Sequence, residues 1–236
     1  FYDRFIYQAI CSYLIPFYDP LLSHRVLGHR YDKRQRTGKD LFKGRIELWQ
    51  TFEGVTRTAL HNNQALFATD LINYFENITT ESIREAFEAM LPKITASGPQ
   101  KVLIRNSINT LCELMTYWGY SERHGLPQNR DASSFIANVV LNTVDQEMVR
   151  LGFDYYRYVD DIRIICDSPR AARHAATLLI GQLRTVGMNI NSSKTKILTA
   201  DSPTSDVDEF FPGSHDRSIT IDNMWRSRSR RVIIRS

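Results

Sequence analysis

Two stretches of this sequence combine a short apolar run with aspartates, and they restrict the fold more than any other feature. Residues 65–69 form a compact apolar run, and Asp70 follows it directly. Further along, residues 155–158 and 162–166 flank a turn that contains Asp160-Asp161. Short runs rich in aromatic and β-branched residues predict strands. The second stretch therefore predicts a β-hairpin with two acids at its tip.

Most of the remaining periodicity is helical. Apolar residues recur at helical spacing in five segments, and prolines or capping residues mark several of their ends. The predicted helices are residues 2–15, ended by Pro16; a helix capped by Thr80 and stopped by Pro92; residues 101–118; residues 133–150; and a helix opened by Ser168-Pro169 and closed by Gly187. Ile190 and Ile197-Leu198 are predicted as edge strands, residues 201–217 as a loop and residues 218–222 as a strand. Helices interspersed with antiparallel strands predict an α+β fold, a small antiparallel sheet with packed helices.

Composition and charge narrow the class of protein. The 236 residues are 42% hydrophobic and 24% charged, which is typical of a globular protein, and no apolar run approaches the roughly 18 residues of a membrane span. The net charge is only +4, but basic residues cluster within 25–45 and again within 226–235. Such clusters suit a polyanion, and a solvated basic surface explains them equally well.

The cysteines and the first residue indicate the cellular compartment and the extent of the chain. Cys11, Cys112 and Cys166 are odd in number and far apart, which fits neither a disulfide framework nor a zinc site. A reducing, cytoplasmic setting is therefore expected. Because the sequence begins at Phe1, we expect it to be part of a longer protein.

The three acids are the strongest candidates for chemistry. An aspartate at a strand end or a hairpin tip satisfies turn geometry by itself, so each alone has a structural explanation. Three carboxylates on neighbouring strands could instead hold divalent cations, because Mg²⁺ prefers oxygen ligands. Two such ions about 4 Å apart suit phosphoryl transfer.

Four segments, in a fixed order, resemble the motifs of reverse transcriptases. Residues 67–78, which contain Asp70, resemble the first catalytic motif, and residues 125–141, which contain Gln128, resemble the template-and-nucleotide motif. The segment Tyr158-Val159-Asp160-Asp161 resembles the Tyr-x-Asp-Asp signature, and residues 187–195 resemble the lysine motif that follows it. The residues of these motifs are most similar to those of bacterial defence-associated reverse transcriptases, including the abortive-infection type. Asn129 and Ser134 differ from the Gly and Pro that are usual in group II intron and retron enzymes.

The resemblance implies catalytic roles for Asp70, Asp160, Asp161 and Lys194, and a metal- and nucleotide-binding role for Leu71. Asp70, Asp160 and Asp161, helped by the backbone carbonyl of Leu71, would hold two Mg²⁺ ions, with Mn²⁺ as a substitute. Lys194 would protonate the departing pyrophosphate. A solvated lysine in a turn is the alternative for Lys194, and the neighbouring lysine at 196 competes for the same role.

The resemblance also implies nucleotide-binding roles. Phe75 would act as a steric gate against the ribose 2′-hydroxyl, with a core phenylalanine at a helix start as the alternative. Gln128 would face the nascent base pair; the alternative is an amide that forms hydrogen bonds with the backbone of its loop. Tyr158 would back the primer terminus, or pack within the hairpin. The candidates for gripping the triphosphate are Arg36, Lys43 and Arg45.

The implied protein is the fingers and palm of a polymerase. Residues 1–60 would be mainly fingers, residues 61–200 the palm with a helical insert near 92–124, and residues 201–236 the palm end or a connection to a thumb, which is not evident in the sequence. The implied function is RNA-directed DNA synthesis from a primer 3′-hydroxyl by two-metal phosphoryl transfer, in bacterial antiviral defence. Its partners would be an RNA template or noncoding RNA, the DNA product and deoxynucleoside triphosphates, without a membrane; an oligomer or accessory subunit is left open. A template-independent or protein-primed polymerase of the same family, and a catalytically silent nucleic-acid-binding scaffold, are the alternatives.

Overall fold

The computed structural model shows helices packed around a small sheet, and it describes residues 2–34, 41–118, 125–127 and 131–211. The elements in these ranges are α1 (Tyr2–Tyr18), α2 (Arg45–His61), β1 (Ala65–Ile72), α3 (Thr80–Met90), α4 (Gly98–Trp118), α5 (Asp131–Arg150), β2 (Asp154–Tyr158), β3 (Asp161–Cys166), α6 (Pro169–Thr185), β4 (Asn189–Ile190), β5 (Lys196–Leu198) and α7 (Thr204–Phe210). None of these helices combines the length and the apolar character that a membrane crossing requires.

The sheet is antiparallel, and β1 is its central strand. The strand order is β2-β3-β1-β4, and β5 also pairs with β1. Residues 65–70 of β1 pair with β3, residues 66–68 with β5, and residues 71–72 with β4. With partners along both edges, β1 is buried at seven of its eight positions. The α+β fold, the hairpin and both edge strands predicted from the sequence are confirmed.

One main core joins the helices to the sheet. At its centre is α5, in which 14 of the 20 residues are buried. This helix contacts α1, α3, α6 and β2. A helix surrounded in this way loses the polar face of a surface helix, so even its polar residues lie inside the protein.

Several predicted helix boundaries are wrong by a few residues, at the end of α1 and at the starts of α3, α4 and α5. Pro16 lies inside α1, which continues to Tyr18. A proline near the end of a helix removes one hydrogen bond, and the burial of Leu14, Ile15 and Tyr18 outweighs that loss. The cap of α3 is Thr79, whose hydroxyl accepts the backbone N–H of Ser82 at 3.1 Å in a reciprocal capping box.

The helix α2 has no counterpart among the predicted elements. Its buried stripe includes Trp49 and Phe52, but Glu53 and Thr56 are buried on the same helix. Polar residues at inward positions break the apolar repeat that identifies a helix in a sequence.

The C-terminal part of the described chain also differs from expectation. A helix, α7, replaces part of the loop predicted for residues 201–217. Asp206 and Glu209 of α7 pair with Lys196 of β5 at 2.8 and 2.7 Å, a contact that the local sequence does not reveal. The strand predicted for residues 218–222 lies outside the described residues.

Candidate active site

Asp70 and Asp161 lie directly opposite each other on β1 and β3. The predicted strand stopped before Asp70, but pairing with β4 extends β1 to Ile72 and places Asp70 within it. Side chains at opposite positions of antiparallel strands share one face, with Cβ atoms roughly 5 Å apart. Two carboxylates at this spacing repel each other unless a cation compensates them. The pair is therefore a place where positive charge is stabilised.

Asp160 lies at the tip of the β2–β3 hairpin, immediately before Asp161. Its carbonyl oxygen accepts the backbone N–H of Leu71 at 3.0 Å, which ties the tip to β1. The preceding residue, Val159, has a φ of 58°. This left-handed conformation costs a non-glycine residue roughly 1–2 kcal/mol. The structure thus brings the backbone of all three predicted acids together, with Asp70 and Asp161 on neighbouring strands and Asp160 in the adjoining turn.

Lys194 contacts the first of these acids. Its Nζ lies 2.7 Å from Asp70 Oδ2. Lys194 ends a short 3-10 helix, Ser192–Lys194, which is attached to β1 because the N–H of Asn191 donates to the carbonyl oxygen of Asp70 at 2.7 Å. The lysine is therefore presented to the site by a turn that is itself hydrogen-bonded at Asp70.

The second candidate lysine, Lys196, belongs to a different environment. It lies on β5, and its Nζ pairs with Asp206 and Glu209 of α7. The geometry therefore favours Lys194 over Lys196 for any role beside Asp70.

Phe75 lies in the turn that follows β1, before the start of α3. Its ring packs on that of Tyr74, with centroids 4.7 Å apart. Its carbonyl oxygen accepts the N–H of Leu126 at 2.8 Å, and a Cβ on Gly125 would overlap the same oxygen. Only glycine allows so close an approach of two backbones. Residues 125–127 are thus held against the predicted steric gate.

Ser133, at the start of α5, holds the other end of this segment. Its hydroxyl donates to the carbonyl oxygen of Pro127 at 2.6 Å and is 2.9 Å from the hydroxyl of Tyr7 on α1. Burial raises the pKa of Tyr7, so its phenol stays protonated and can donate to Ser133. Gln128, the next residue after Pro127, lies outside the described residues.

Tyr158 is buried, with 3% of its surface exposed. Its ring packs against Trp49 and Phe52 of α2 at centroid distances of 5.0 and 5.9 Å. Its hydroxyl donates to the carbonyl oxygen of Arg45 at 3.2 Å. These contacts correspond to packing between the hairpin and α2, and a contact with a primer end stays a prediction.

A cavity of about 200 Å³ lies at the start of α2, lined among others by Lys43, Arg45, His29 and Asp131. Burial, together with the charge of Arg45, lowers the pKa of His29 to about 4. The imidazole is therefore neutral at neutral pH, and its 3.8 Å approach to Asp131 is not an ion pair. The lining of the cavity thus combines two cationic side chains, a neutral histidine and the carboxylate of Asp131. Arg36, the third candidate for the triphosphate, lies outside the described residues.

The donor groups at the strand ends are carboxylate oxygens, the ligands that Mg²⁺ and Mn²⁺ prefer. The residues therefore fit such an ion by their chemistry. Across the ranges that the structure describes, no three His, Cys, Asp or Glu side chains are gathered closely enough to hold a metal ion. The ammonium of Lys194 lies against Asp70 instead.

A buried charged network behind the hairpin was missed by sequence reasoning. Arg157 of β2 pairs with Asp145 of α5, and both side chains are fully buried. Asn138, on the same face of α5, also bonds to Arg157 at 2.9 Å. The sequence carries a signal for this network, because Asn138, Asn142 and Asp145 recur at the spacing of one helical face within an otherwise apolar helix.

Arg163 of β3 is a second buried cation that the sequence did not reveal. Its guanidinium lies 4.5 Å from the ring centroids of Phe52 and Phe211, and it donates to the hydroxyl of Thr56 and the carbonyl of Phe210. Burial lowers the pKa of Arg163 to about 10. This side chain therefore joins α2 and the end of α7 to the strand that carries Asp161.

Comparisons with known proteins bear on the family and the fold of the chain. The sequence model of the family described as reverse transcriptase (RNA-dependent DNA polymerase) matches residues 8–222. Among solved structures, the chain is similar to apo telomerase from Candida tropicalis, with a TM-score of 0.53 and 9% identity over 83% of this chain and 36% of that one. It is also similar to apo telomerase from Candida tropicalis truncated from the C-terminal domain, with a TM-score of 0.50 and 11% identity over 86% of this chain and 41% of that one.

These structural similarities concern the fold alone, and the chain spans about two fifths of the length of each telomerase chain. The family match is broader, because it covers most of the sequence and includes Asp70, Asp160, Asp161 and Lys194. On that match, the chain belongs to the reverse transcriptase family, a family of nucleotidyltransferases.

Proposed function

We propose that the chain provides the fingers and palm of an RNA-directed DNA polymerase, which adds deoxynucleotides to a primer 3′-hydroxyl. The observation that carries this proposal is the register that sets Asp70 opposite Asp161, with Asp160 bonded through its carbonyl to Leu71. The substrates would be an RNA template or a noncoding RNA, a DNA product and deoxynucleoside triphosphates.

The three acids are proposed to hold two Mg²⁺ ions, with Mn²⁺ as a substitute and the Leu71 carbonyl as a further ligand. When bound, such ions activate the attacking hydroxyl and stabilise the leaving pyrophosphate. The chain contributes position: Asp70 lies on a strand that is paired along both edges, and Asp161 on the strand beside it. Carboxylates fixed in this way need little rearrangement of the backbone before reaction.

Lys194 is proposed as the proton donor to the departing pyrophosphate. Its side chain is 50% exposed, whereas Asp70 is almost buried, so the ammonium lies at the solvent side of their contact. A lysine held by one short contact and otherwise open to solvent can leave Asp70 and donate to charge that develops in the site.

The nucleotide is proposed to lie between Phe75 and the cavity at the start of α2. The ring of Phe75 would exclude a ribose 2′-hydroxyl by contact, which favours deoxynucleotides. Lys43 and Arg45 line the cavity, and the bond from Tyr158 to the Arg45 carbonyl places its wall beside the hairpin. Phosphate contacts of this kind position a substrate without reading its base.

The domain division and the biological setting are part of the same proposal. Residues 1–60 would be mainly fingers, residues 61–200 the palm, and residues 201–236 the palm end or a connection to a thumb. The resemblance of the motifs to those of defence-associated enzymes supports a role in bacterial antiviral defence, in the cytoplasm. A template-independent or protein-primed polymerase is the second candidate, because the same acids would serve it.

The test is nucleotide incorporation with Mg²⁺ and labelled deoxynucleotides, with and without an RNA template. The Asp160→Ala/Asp161→Ala variant should lose all product. Asp154→Ala is the matched control, because Asp154 lies at the opposite end of the same hairpin, paired with Arg25 at 2.6 Å, and this variant should keep full activity. Product that needs no template but is lost in the double variant would favour untemplated synthesis. No product from the unaltered chain would favour the silent scaffold.

A further inference from the structure

Arg157 has no exposed surface, although it carries a full charge. Its guanidinium forms a two-pronged pair with Asp145, with Nε 2.8 Å from Oδ1 and Nη2 2.6 Å from Oδ2. Burial lowers the pKa of Arg157, but the charge and hydrogen bonds of Asp145 raise it by more than burial lowers it, so the pair stays ionised. Because the guanidinium is planar, this pair fixes its plane and therefore also the direction in which Nη1 points.

Nη1 of this guanidinium is bonded to the catalytic hairpin. It donates to the carbonyl oxygen of Val159 at 2.9 Å and to Asn138 Oδ1 at 2.9 Å. Val159 has a φ of 58°, a conformation that β-branched residues rarely adopt, and it directly precedes Asp160. A strained residue of this kind keeps its conformation only where its surroundings hold it.

The segment around Gly28 supports the same turn from another side. A Cβ on Gly28 would lie 2.7 Å from the backbone nitrogen of Val159, so this residue has no space for a side chain. Asn138 donates to the carbonyl oxygen of Gly28 at 2.9 Å. The N–H of Leu27 donates to the carbonyl of Arg157 at 2.8 Å. The turn is therefore enclosed by Leu27 and Gly28 on one side and by α5 on the other.

We propose that Arg157 is a positioning residue, which together with Asp145 and Asn138 holds Val159 in its left-handed conformation and thereby fixes Asp160 beside Leu71. The inference rests on the proposed function, because nucleotide transfer is the reaction that would need Asp160 in one place. Arg157 acts through the backbone of the turn.

The experiment compares Arg157→Lys with Tyr155→Phe. Lysine keeps the positive charge for Asp145 but lacks the fork that reaches the Val159 carbonyl at the same time. Tyr155→Phe removes a 2.8 Å hydrogen bond to the same Asp145 and none to the turn, so it lowers stability in the same network. Gly28→Ala, made alongside, disturbs Val159 from the other side and keeps the test independent of whether Arg157→Lys folds.

Three readouts separate positioning from stability: the thermal unfolding midpoint, the hydrogen-exchange rate of the Leu71 amide that bonds to Asp160, and kcat and KM for deoxynucleotide. In Arg157→Lys and Gly28→Ala, exchange at Leu71 should accelerate and kcat should fall by about 10- to 100-fold, with KM within about twofold of the unaltered value. In Tyr155→Phe, the midpoint should fall while exchange at Leu71 and kcat stay unchanged.

Unchanged exchange and kcat in folded Arg157→Lys and Gly28→Ala would overturn the proposal. The same changes in Tyr155→Phe would also overturn it, since they would follow from lost stability. If the unaltered chain incorporates no nucleotide, the proposed polymerase function fails. Faster exchange at Leu71 confined to Arg157→Lys and Gly28→Ala would then still support the restraint on the turn.

Discussion

Lys194 Nζ lies 2.7 Å from Asp70 Oδ2, so the positive charge beside the paired aspartates comes from the protein itself. A cation held there by the fold competes with any cation that arrives from solution. This contact gives the first prediction.

Lys194→Gln should bind Mn²⁺ more tightly than the unaltered chain, because Asp70 no longer has to leave an ammonium. The contact is half exposed, so its loss is worth at most about 1 kcal/mol, or roughly fivefold in the dissociation constant. Nucleotide incorporation should nevertheless slow, since the proposed proton donor is gone. Calorimetric titration with Mn²⁺ measures the first effect. Lys196→Gln is the control and should change neither quantity; weaker Mn²⁺ binding in Lys194→Gln would contradict the prediction.

Phe75→Val should admit ribonucleotides. A smaller side chain removes the contact that would exclude the 2′-hydroxyl, so discrimination between deoxy- and ribonucleotides should fall by about tenfold or more. The measurement is the ratio of kcat/KM for the two substrates. Phe153→Val, at a partly buried ring beside His174, should leave the ratio unchanged. An unaltered ratio in Phe75→Val would remove the steric gate from the proposed mechanism.

Gly125→Ala should destabilise the chain and impair substrate binding, because the added Cβ overlaps the carbonyl of Phe75 and displaces residues 125–127. Gly181→Ala is the matched control within α6, where a Cβ meets no atom within 4 Å. That variant should be more stable by about 0.5–1 kcal/mol, since alanine is the better helix former. Urea unfolding of both variants gives the comparison, and equal stabilities would refute it.

Acid should destabilise the fold through His29. Its pKa is about 4 in the folded chain and about 6.5 in the unfolded one, so only the unfolded state takes up a proton between these values. Stability contributed by neutral His29 is fully present above pH 6.5 and is lost as the pH falls toward 4, by up to about 3 kcal/mol. His29→Gln should flatten the pH dependence of the unfolding free energy across this window. A slope that persists in His29→Gln would assign the effect to other groups.

The elements that could be predicted from sequence are those with local signals. The apolar run of β1 and the acids between β2 and β3 are local patterns, and both predictions of strand structure are confirmed. The helix α2 was not predicted, because its inward face carries the polar residues Glu53 and Thr56. Their burial is stabilised by Arg163 and other buried partners, which are distant in the sequence. The helix α7 depends on pairing with Lys196, a tertiary contact.

The candidate site divides in the same way. Motif order was enough to select Asp70, Asp160, Asp161 and Lys194, and their roles stay predictions. The support of the turn by Arg157 was not visible, because its partners Asp145 and Asn138 lie on α5 and meet it only in the folded chain. Side chains that act through long-range burial leave only weak patterns in the sequence.

The order of strands also bears on how this protein is made in a cell. The strand β1 leaves the ribosome first, yet each of its partners comes later in the chain, and the last of them ends at Leu198, 126 residues after Ile72. At about 5–20 residues per second, translation needs roughly 6–25 s to cover that distance. Until β3 is complete at Cys166, β1 has no partner strand, and the edge that β5 covers stays open until the end of the interval. The nascent chain is therefore exposed to chaperones and to aggregation. A ribosome that stalls before Lys194 would leave a chain that can neither complete its sheet nor pair Asp70 with this lysine.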